Sequence, residues 1–282
     1  MNYQWYPGHM TKAKRMMQEN IKLIDLIIEL VDARIPLASR NPDIDSLANN
    51  KSRIVLLNKS DLADPRYNKE WTEYFVSQGA HVLEINSKTG AGIKAIDGLV
   101  KEACKEKIER DRKRGIVNRP VRAMVVGIPN VGKSTFINSF AGKACAKTGN
   151  KPGVTKGKQW IKLGKGLELL DTPGILWPKF EDQEVGMHLA FIGSMNDEIL
   201  IMEELACDLL KVLMNLYPKA IAERYGFEPS EDPVKNLEEI ARQRRCFLKG
   251  EELDLKKAAG LLIDDYRSGK LGRMTIERPK YE

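Results

Sequence analysis

One stretch of this sequence has the residue types and spacing of a phosphate-binding site. Gly127-x4-Gly132-Lys133-Ser134 is typical of a loop whose glycines let consecutive backbone N–H groups turn toward phosphate oxygens. In such a loop Lys133 is expected to reach the β- and γ-phosphates of a nucleotide, and Ser134 to ligate Mg²⁺. The residues of this stretch predicted to bind the nucleotide are Asn130, Val131, Gly132, Lys133, Ser134 and Thr135.

A second motif, Asn58-Lys59-Ser60-Asp61, predicts that the base is guanine. The carboxylate of Asp61 can accept two N–H bonds from guanine, whereas adenine offers no matching pair of donors. Four apolar residues, 54–57, run directly into this motif, which indicates a loop at the end of a buried strand. Asn86 and Ser87 follow the next predicted strand and are expected to pack against the same base.

A third motif, Asp171-Thr-Pro-Gly174, predicts the part of the site that senses the γ-phosphate. Asp171 is expected to hold Mg²⁺ through water, and the N–H of Gly174 to face the γ-phosphate. Thr155 lies in the loop between this motif and the phosphate-binding loop, and it is the candidate for a switch threonine. The predicted Mg²⁺ ligands are therefore Ser134, Thr155 and Asp171.

These motifs occur in an unusual order, because the two that read the base precede the three that handle the phosphates. The chain therefore resembles a circularly permuted GTPase. Strand neighbours in a sheet are set by packing rather than by chain order, so the same site can form. The predicted fold is α/β, a P-loop GTPase fold with permuted motif order plus an all-α C-terminal domain. The cut falls just after the second switch, so the N-terminal segment is expected beside that switch.

The elements around the motifs alternate between strand and helix, which predicts a parallel sheet with helices on both faces. A helix is expected from Thr11 to about Leu23, and another from Trp71 to Gly79. The charged stretch 105–120 is interpreted as a solvated connector. Strand patterns stop near residue 183, so the predicted domains are a GTPase domain, 1–182, and a helical, rRNA-binding domain, 183–282.

Composition narrows the class of protein further. The chain has 282 residues and a formal charge of +7, which favours a polyanionic partner. Its four cysteines are scattered, which is typical of a reduced cytosolic protein. The N-terminus has no apolar segment of a secretory signal, and no apolar run approaches the roughly 18 residues of a membrane span. A cytoplasmic protein without a membrane segment is expected.

Taken together, "WYPGHM", "DARIP", "NKSD", "GIPNVGKST", "PGVT" and "DTPGILWP" resemble the bacterial ribosome biogenesis GTPase A family. The resemblance runs from residue 4 to about 180 and includes the permuted order, while the tail resembles the family's RNA-binding domain less specifically. It implies a GTPase that docks on a late precursor of the large ribosomal subunit, hydrolyses GTP to GDP and is released. The expected partners are rRNA and ribosomal proteins, with no DNA and no membrane.

The predicted catalytic residues are Lys133, Asn130 and His9. Ile175 stands where many GTPases have a glutamine that orients water, so hydrolysis must depend on other groups. Asn130 stands where some relatives bind K⁺, a cation that could neutralise charge between the β- and γ-phosphates. His9 is placed beside the second switch by the permutation, and the family resemblance also implies a catalytic role for it.

A basic cluster in the tail is the candidate rRNA-binding surface: Arg242, Arg244, Arg245 and Lys249. An alternative remains open, in which the protein is an RNA-binding adaptor that uses GTP as an occupancy signal and hydrolyses it only incidentally. Ile175 supports this alternative, because intrinsic hydrolysis should then be slow. A GTPase acting on a membrane or in tRNA modification is a third possibility, and no anchor or cofactor motif supports it.

Overall fold

Six strands form one mixed sheet at the centre of the protein. The structure, a computed structural model, describes residues 3, 9–48, 50–117, 119–146, 159–163, 166–174, 176 and 182–280. In those residues the strands are β1 (Leu26–Asp32), β2 (Ser52–Asn58), β3 (His81–Glu84), β4 (Val121–Val126), β5 (Gln159–Leu163) and β6 (Leu167–Asp171). Their order across the sheet is β3-β2-β1-β4-β6-β5.

Helices cover the sheet and make up the C-terminal third of the chain. They are α1 (His9–Asn20), α2 (Asp43–Leu47), α3 (Pro65–Ser77), α4 (Ile96–Ala103), α5 (Lys105–Lys113), α6 (Lys133–Ala141), α7 (Gln183–Phe191), α8 (Met202–Leu216), α9 (Lys219–Tyr225), α10 (Pro233–Gln243) and α11 (Leu255–Arg267). No helix among the described residues is long and apolar enough to cross a bilayer.

The permuted order of the motifs is compatible with one ordinary nucleotide-binding edge. β1 pairs in parallel with both β2 and β4, and β4 pairs in parallel with β6. The carboxyl ends of these four strands therefore meet at one edge of the sheet, which is where ligands bind in such folds. Every residue of β1 is buried, as expected of a central strand covered on both faces.

The expected position of the N-terminal segment is confirmed by one contact. The sulfur of Met10 accepts a hydrogen bond from the N–H of Leu176, at 3.4 Å. Leu176 follows the second switch motif by two residues, whereas Met10 lies in the first turn of α1. The beginning of the chain therefore lies where the permutation predicts it.

Three details of the sequence interpretation were wrong. The sheet is not wholly parallel, because β5 pairs antiparallel with β6 at the edge. The stretch interpreted as a connector begins with helix α5, since the half-buried Ile108 packs on the core and Lys107 pairs with Asp111 one turn on, at 3.2 Å. The helix expected at Trp71 begins six residues earlier, at Pro65, where Asp64 caps it.

The helical unit, residues 183–280, is built around α8. Leu205, Leu209 and Leu213 recur at four-residue spacing on α8 and are fully buried. Helices α10 and α11 pack against them. Its first helix, α7, begins at Gln183, where Asp182 caps it by accepting from the N–H of Glu184 at 2.8 Å. The division into two domains at this point stays a prediction.

The C-terminal segment, residues 270–280, returns to the part of the chain that forms the sheet. The N–H of Met274 donates to the carbonyl of Leu62 at 2.9 Å, and the N–H of Ile276 donates to Arg34 at 3.0 Å. The guanidinium of Arg273 donates to the carbonyls of Ser60 and Ala63, at 3.1 and 3.0 Å. This segment therefore fastens the helical unit to the loop that carries the base-reading motif.

Candidate functional site

The phosphate-binding loop lies between β4 and α6, as the sequence predicts. Helix α6 begins at Lys133, so the N–H groups of its first turn face the predicted phosphate position. Gly132 has a φ of +102°, and a Cβ there would lie 2.5 Å from Nδ2 of Asn58. A glycine is required at this position because both the backbone conformation and the approach of Asn58 exclude a side chain.

Asn58 joins three of the predicted motifs. Its amide nitrogen donates to the carbonyl of Val131 at 2.7 Å. Its amide oxygen accepts from the N–H and the hydroxyl of Ser87, at 3.0 and 2.8 Å. The side chain is buried, with 1% exposed. Asn58 thus holds the base-reading loop, the phosphate-binding loop and the loop after β3 together.

Other hydrogen bonds shape the base-reading loop around an exposed carboxylate. The N–H and the hydroxyl of Ser60 both donate to the carbonyl of Ile85, at 3.2 and 3.1 Å. Asn86 shapes the neighbouring loop, because its side-chain oxygen accepts from the N–H groups of Lys88 and Thr89. Asp61 is exposed in its loop, so its carboxylate is accessible to a nucleotide base.

Lys59 contacts the phosphate-binding loop, although a quarter of its side chain remains exposed. Its ammonium donates to the carbonyl of Asn130 at 3.0 Å and pairs with Oδ2 of Asp32 at 3.0 Å. Burial lowers the pKa of Lys59, and the carboxylate of Asp32 opposes that effect. Lys59 therefore connects the base-reading and phosphate-binding loops by a charged contact.

Asp32 and Arg34 form a buried ion pair at this edge of the sheet, and the sequence interpretation gave them no role. Oδ1 and Oδ2 of Asp32 accept from the guanidinium of Arg34, at 2.9 and 2.8 Å, and both side chains are buried. Burial alone would raise the pKa of Asp32, but Arg34 and Lys59 hold it below its usual range. The signal was present as "DAR" at the end of β1, next to β2 in the sheet.

The acidic end of β6 fits a divalent cation. Oδ1 of Asp171 is buried and has no hydrogen-bond partner among the described residues. Burial raises the pKa of Asp171, and the nearby Lys133 opposes the shift. A buried carboxylate oxygen in this state is suited to a Mg²⁺ ion or to a water that the ion holds. Ser134, the other described candidate ligand, is the second residue of α6 and follows Lys133.

Comparisons with known proteins show the family to which this chain belongs. A family model described as a 50S ribosome-binding GTPase matches residues 122–248. Ribosome biogenesis GTPase A of Bacillus cereus is 50% identical over 99% of this chain and 95% of its own length. The chain belongs to the ribosome biogenesis GTPase A family. Its counterpart in Thermotoga maritima is 33% identical over 98% of this chain and 94% of its own length.

Solved structures of the family agree with the fold described above. The crystal structure of GNP-bound YlqF from T. maritima has a TM-score of 0.68 and 30% identity, and the match covers 95% of this chain and 99% of that one. The GDP-bound structure of the same protein has a TM-score of 0.67 and 29% identity, with 93% and 98% covered. This chain is accordingly a GTPase with the P-loop fold of the ribosome biogenesis GTPase A family.

Some predicted site residues of this family member lie outside the described residues. Thr155 and Ile175 are among them, so their predicted roles stay predictions. The backbone of His9 is described at the first position of α1, next to Met10, which contacts Leu176. Its side chain is not described, and its catalytic role also stays a prediction.

The predicted rRNA-binding residues lie together at the end of α10, and all four are exposed. Arg242 pairs with Glu238 and Glu239 on its own helix, at 3.3 and 3.1 Å. Arg244 donates to the carbonyl of Arg224 at 2.8 Å, and its guanidinium lies over a tyrosine ring. Arg245 has a left-handed backbone, with φ of +52°, and Lys249 follows in the same loop. Their role in this family member stays a prediction.

The environment of Lys133 predicts that nucleotide binding takes up a proton. Burial lowers the pKa of Lys133 to about 8. Bound phosphates favour the ammonium and raise that pKa, so above about pH 8 the free protein must gain a proton to bind. We expect uptake of roughly half a proton at pH 8, almost none at pH 6.5, and GDP affinity that falls as pH rises.

Calorimetry of GDP binding in buffers with different ionisation enthalpies measures that uptake. The matched control is Lys133→Arg, because a guanidinium does not titrate in this range. Its uptake should be absent wherever binding is still measurable. A wild-type uptake that is independent of pH would show that Lys133 is charged in the free protein.

Proposed function

We propose that this protein is a GTPase assembly factor that binds a late precursor of the large ribosomal subunit. In this proposal it hydrolyses GTP to GDP in the cytoplasm, which drives maturation and its own release. The single observation that carries the nucleotide chemistry is the position of Asn58, which bonds both Val131 and Ser87. The ribosomal partner is supported by family membership and by the net charge of +7.

The proposed Mg²⁺ would be held by Ser134, Thr155 and Asp171. When bound, it supplies positive charge that neutralises the β- and γ-phosphates. The fit is supported by the buried oxygen of Asp171 that lacks a partner among the described residues. The chain's own contribution is to cradle the phosphates with the N–H groups at the start of α6 and with the ammonium of Lys133.

Hydrolysis is proposed to depend on Asn130 and His9, since Ile175 cannot orient water. With its amide oxygen on a K⁺ ion, Asn130 should make hydrolysis faster in KCl than in matched NaCl, because Na⁺ is too small for a K⁺-sized set of oxygens. Steady-state GTPase rates in the two salts test this. The Asn130→Ala variant should lose the preference. Equal wild-type rates in both salts would remove K⁺ from the proposal.

The alternative function, an RNA-binding adaptor with incidental turnover, is favoured by one residue, Ile175. The two functions differ in what the ribosomal subunit does to the rate. An assembly GTPase should hydrolyse GTP faster when large subunits are added, whereas an adaptor's rate should not change. The measurement is the GTPase rate at several subunit concentrations, with small subunits as the control.

The assembly function also predicts that the bound nucleotide controls subunit affinity. If the γ-phosphate holds the helical unit in its binding-competent position, the precursor should be bound more tightly with a GTP analogue than with GDP. A coupling of typical size gives roughly 5- to 150-fold, and subunits should tighten analogue binding by the same factor. Titration of labelled protein with precursor in each nucleotide state measures both. Equal affinities would reject the switch.

The basic residues at the end of α10 provide the control for that experiment. Substituting Arg242, Arg244 and Arg245 should weaken binding in both nucleotide states and reduce its dependence on salt. Arg245→Ala is the sharpest single change, because Arg242 and Arg244 also have partners within the protein. Lys69→Ala, an exposed charge on α3, is the matched control. The basal GTPase rate should be unchanged in all of these variants.

A further inference from the structure

The loop that follows α7 contacts the phosphate-binding loop directly. This α7 loop, residues 192–196, belongs to the helical unit. The hydroxyl of Ser194 donates to the carbonyl of Pro129 at 2.8 Å, and the amide nitrogen of Asn130 donates to the carbonyl of Gly193 at 2.6 Å. Ser194 is completely buried, with 0% exposed. Two successive residues of the phosphate-binding loop are thus held by two successive residues of the helical unit.

Pro129 lies on the side of the loop that should face the γ-phosphate. A Cβ on Gly174 would lie 2.8 Å from the nitrogen of Pro129 and 3.0 Å from the ammonium of Lys133. Pro129, Lys133 and the switch residue Gly174 therefore converge at one point. Since the P-loop lysine reaches the β- and γ-phosphates, the third phosphate is expected next to the point where these residues converge.

Asn130 has a left-handed backbone, and its side chain contacts Gly193. Its φ is +59°, a left-handed conformation that a residue with a side chain adopts only at a cost. A backbone carbonyl can only accept, so the group that faces Gly193 must be the amide NH₂. The contact with the helical unit therefore requires that the NH₂ of Asn130 face Gly193.

Arg267, at the end of α11, holds the residues on either side of the α7 loop. The guanidinium of Arg267 donates to the carbonyls of Phe191 and Ala190, at 2.9 and 2.8 Å, and pairs with Asp197 at 2.7 Å. The carbonyl of the same Arg267 accepts from Arg34 at 3.3 Å. Arg267 thus connects the α7 loop with the buried Arg34–Asp32 pair, which holds Lys59 of the base-reading loop.

We propose that Ser194 is a positioning residue for the γ-phosphate side of the phosphate-binding loop. Through Ser194 and Gly193 the helical unit holds Pro129 and Asn130 in the geometry that distinguishes GTP from GDP. This inference rests on the proposed GTP switch and adds a second route for it. The helical unit senses the third phosphate through the phosphate-binding loop as well as through its link to the second switch.

The test is Ser194→Ala, which removes one hydroxyl and leaves the rest of the α7 loop unchanged. We expect affinity for a non-hydrolysable GTP analogue to fall about five- to tenfold, because one buried hydrogen bond is lost. GDP affinity should change less than about twofold, because the N–H groups of α6 still hold its phosphates. The rate of GTP hydrolysis should fall by a similar factor. Fluorescent nucleotide titration and single-turnover kinetics measure these effects.

Ser230→Ala is the matched control, since Ser230 is an exposed serine of the helical unit that bonds only its own neighbourhood in the described structure. Its analogue-to-GDP affinity ratio should equal that of wild type. Ser194→Cys retains a weak donor of similar size and should fall between wild type and Ser194→Ala. A purely structural role for Ser194 would lower the melting temperature or both affinities together, without changing their ratio.

Arg267→Lys keeps the charge but loses the paired contacts to the residues on either side of the α7 loop. It should reproduce the selective loss of analogue affinity, which gives a second variant if Ser194→Ala folds poorly. An unchanged analogue-to-GDP ratio in both folded variants overturns the inference. This outcome is distinct from failure of the proposed function, in which wild-type protein itself would neither hydrolyse GTP nor distinguish the analogue from GDP on subunits.

Discussion

The Asp61→Asn variant is expected to lose GTP affinity by on the order of 10²–10⁴-fold and to gain affinity for xanthosine triphosphate. Two hydrogen bonds to a charged group contribute about 1.5–3 kcal/mol each, and the amide places a donor opposite the exocyclic amine of guanine. Xanthine has an oxygen there, which accepts from the new donor. The exposed position of Asp61 on a loop held by Asn58 and Lys59 supports this role.

Competition titrations with labelled nucleotide measure both affinities. Asp97→Asn removes an equivalent exposed carboxylate from the first turn of α4 and should leave both unchanged. The essential observation is the reversal of base preference. Unchanged GTP affinity in Asp61→Asn would exclude Asp61 from the base pocket, whereas loss of all nucleotides would indicate a damaged loop.

The second large effect is expected for His9→Ala, whose GTPase rate on large subunits should fall about 10²–10⁴-fold, the usual contribution of a general base or water-orienting group. Its affinity for GTP should not change, because His9 lies outside the base and phosphate motifs. The position of the helix start supports the role, since the adjacent Met10 contacts Leu176 just beyond the second switch.

Single-turnover rates with saturating subunits separate catalysis from binding in this experiment. His81→Ala is the control, because that histidine begins β3 and is not part of any predicted motif. A rate in His9→Ala equal to that of wild type on subunits would exclude a catalytic role for His9. A loss of subunit affinity instead of rate would make it a docking residue.

The phosphate-binding and base-reading motifs could be recognised in the sequence because each is a short local pattern with its own chemistry. The Asn58–Asp61 motif follows an apolar strand. The loop ending at Lys133 and Ser134 contains Gly132, whose left-handed backbone conformation requires a glycine. The order of the motifs was enough to infer the permutation. The strand order then confirms that these loops share one edge.

Contacts between the GTPase part and the helical unit could not be predicted in the same way. Arg34 and Arg267 act through backbone carbonyls, and so do Asn130 and Ser194. Every residue has a carbonyl, so an acceptor of this kind leaves no pattern in a sequence. The sequence likewise does not show that Asn130 has a left-handed backbone or that its side chain faces Gly193.

The amino-acid sequence alone was sufficient for the chemistry of this protein: a guanine nucleotide, a P-loop and a permuted GTPase fold. These follow from side-chain types at the ends of apolar strands, where short-range rules apply. Folding decided the rest, including the antiparallel β5, helix α5 and the return of residues 270–280 to the loop of Ser60. The return of the C-terminal segment joins groups more than 200 residues apart, such as the guanidinium of Arg273 and the carbonyl of Ser60, and only packing of the whole chain brings such groups together.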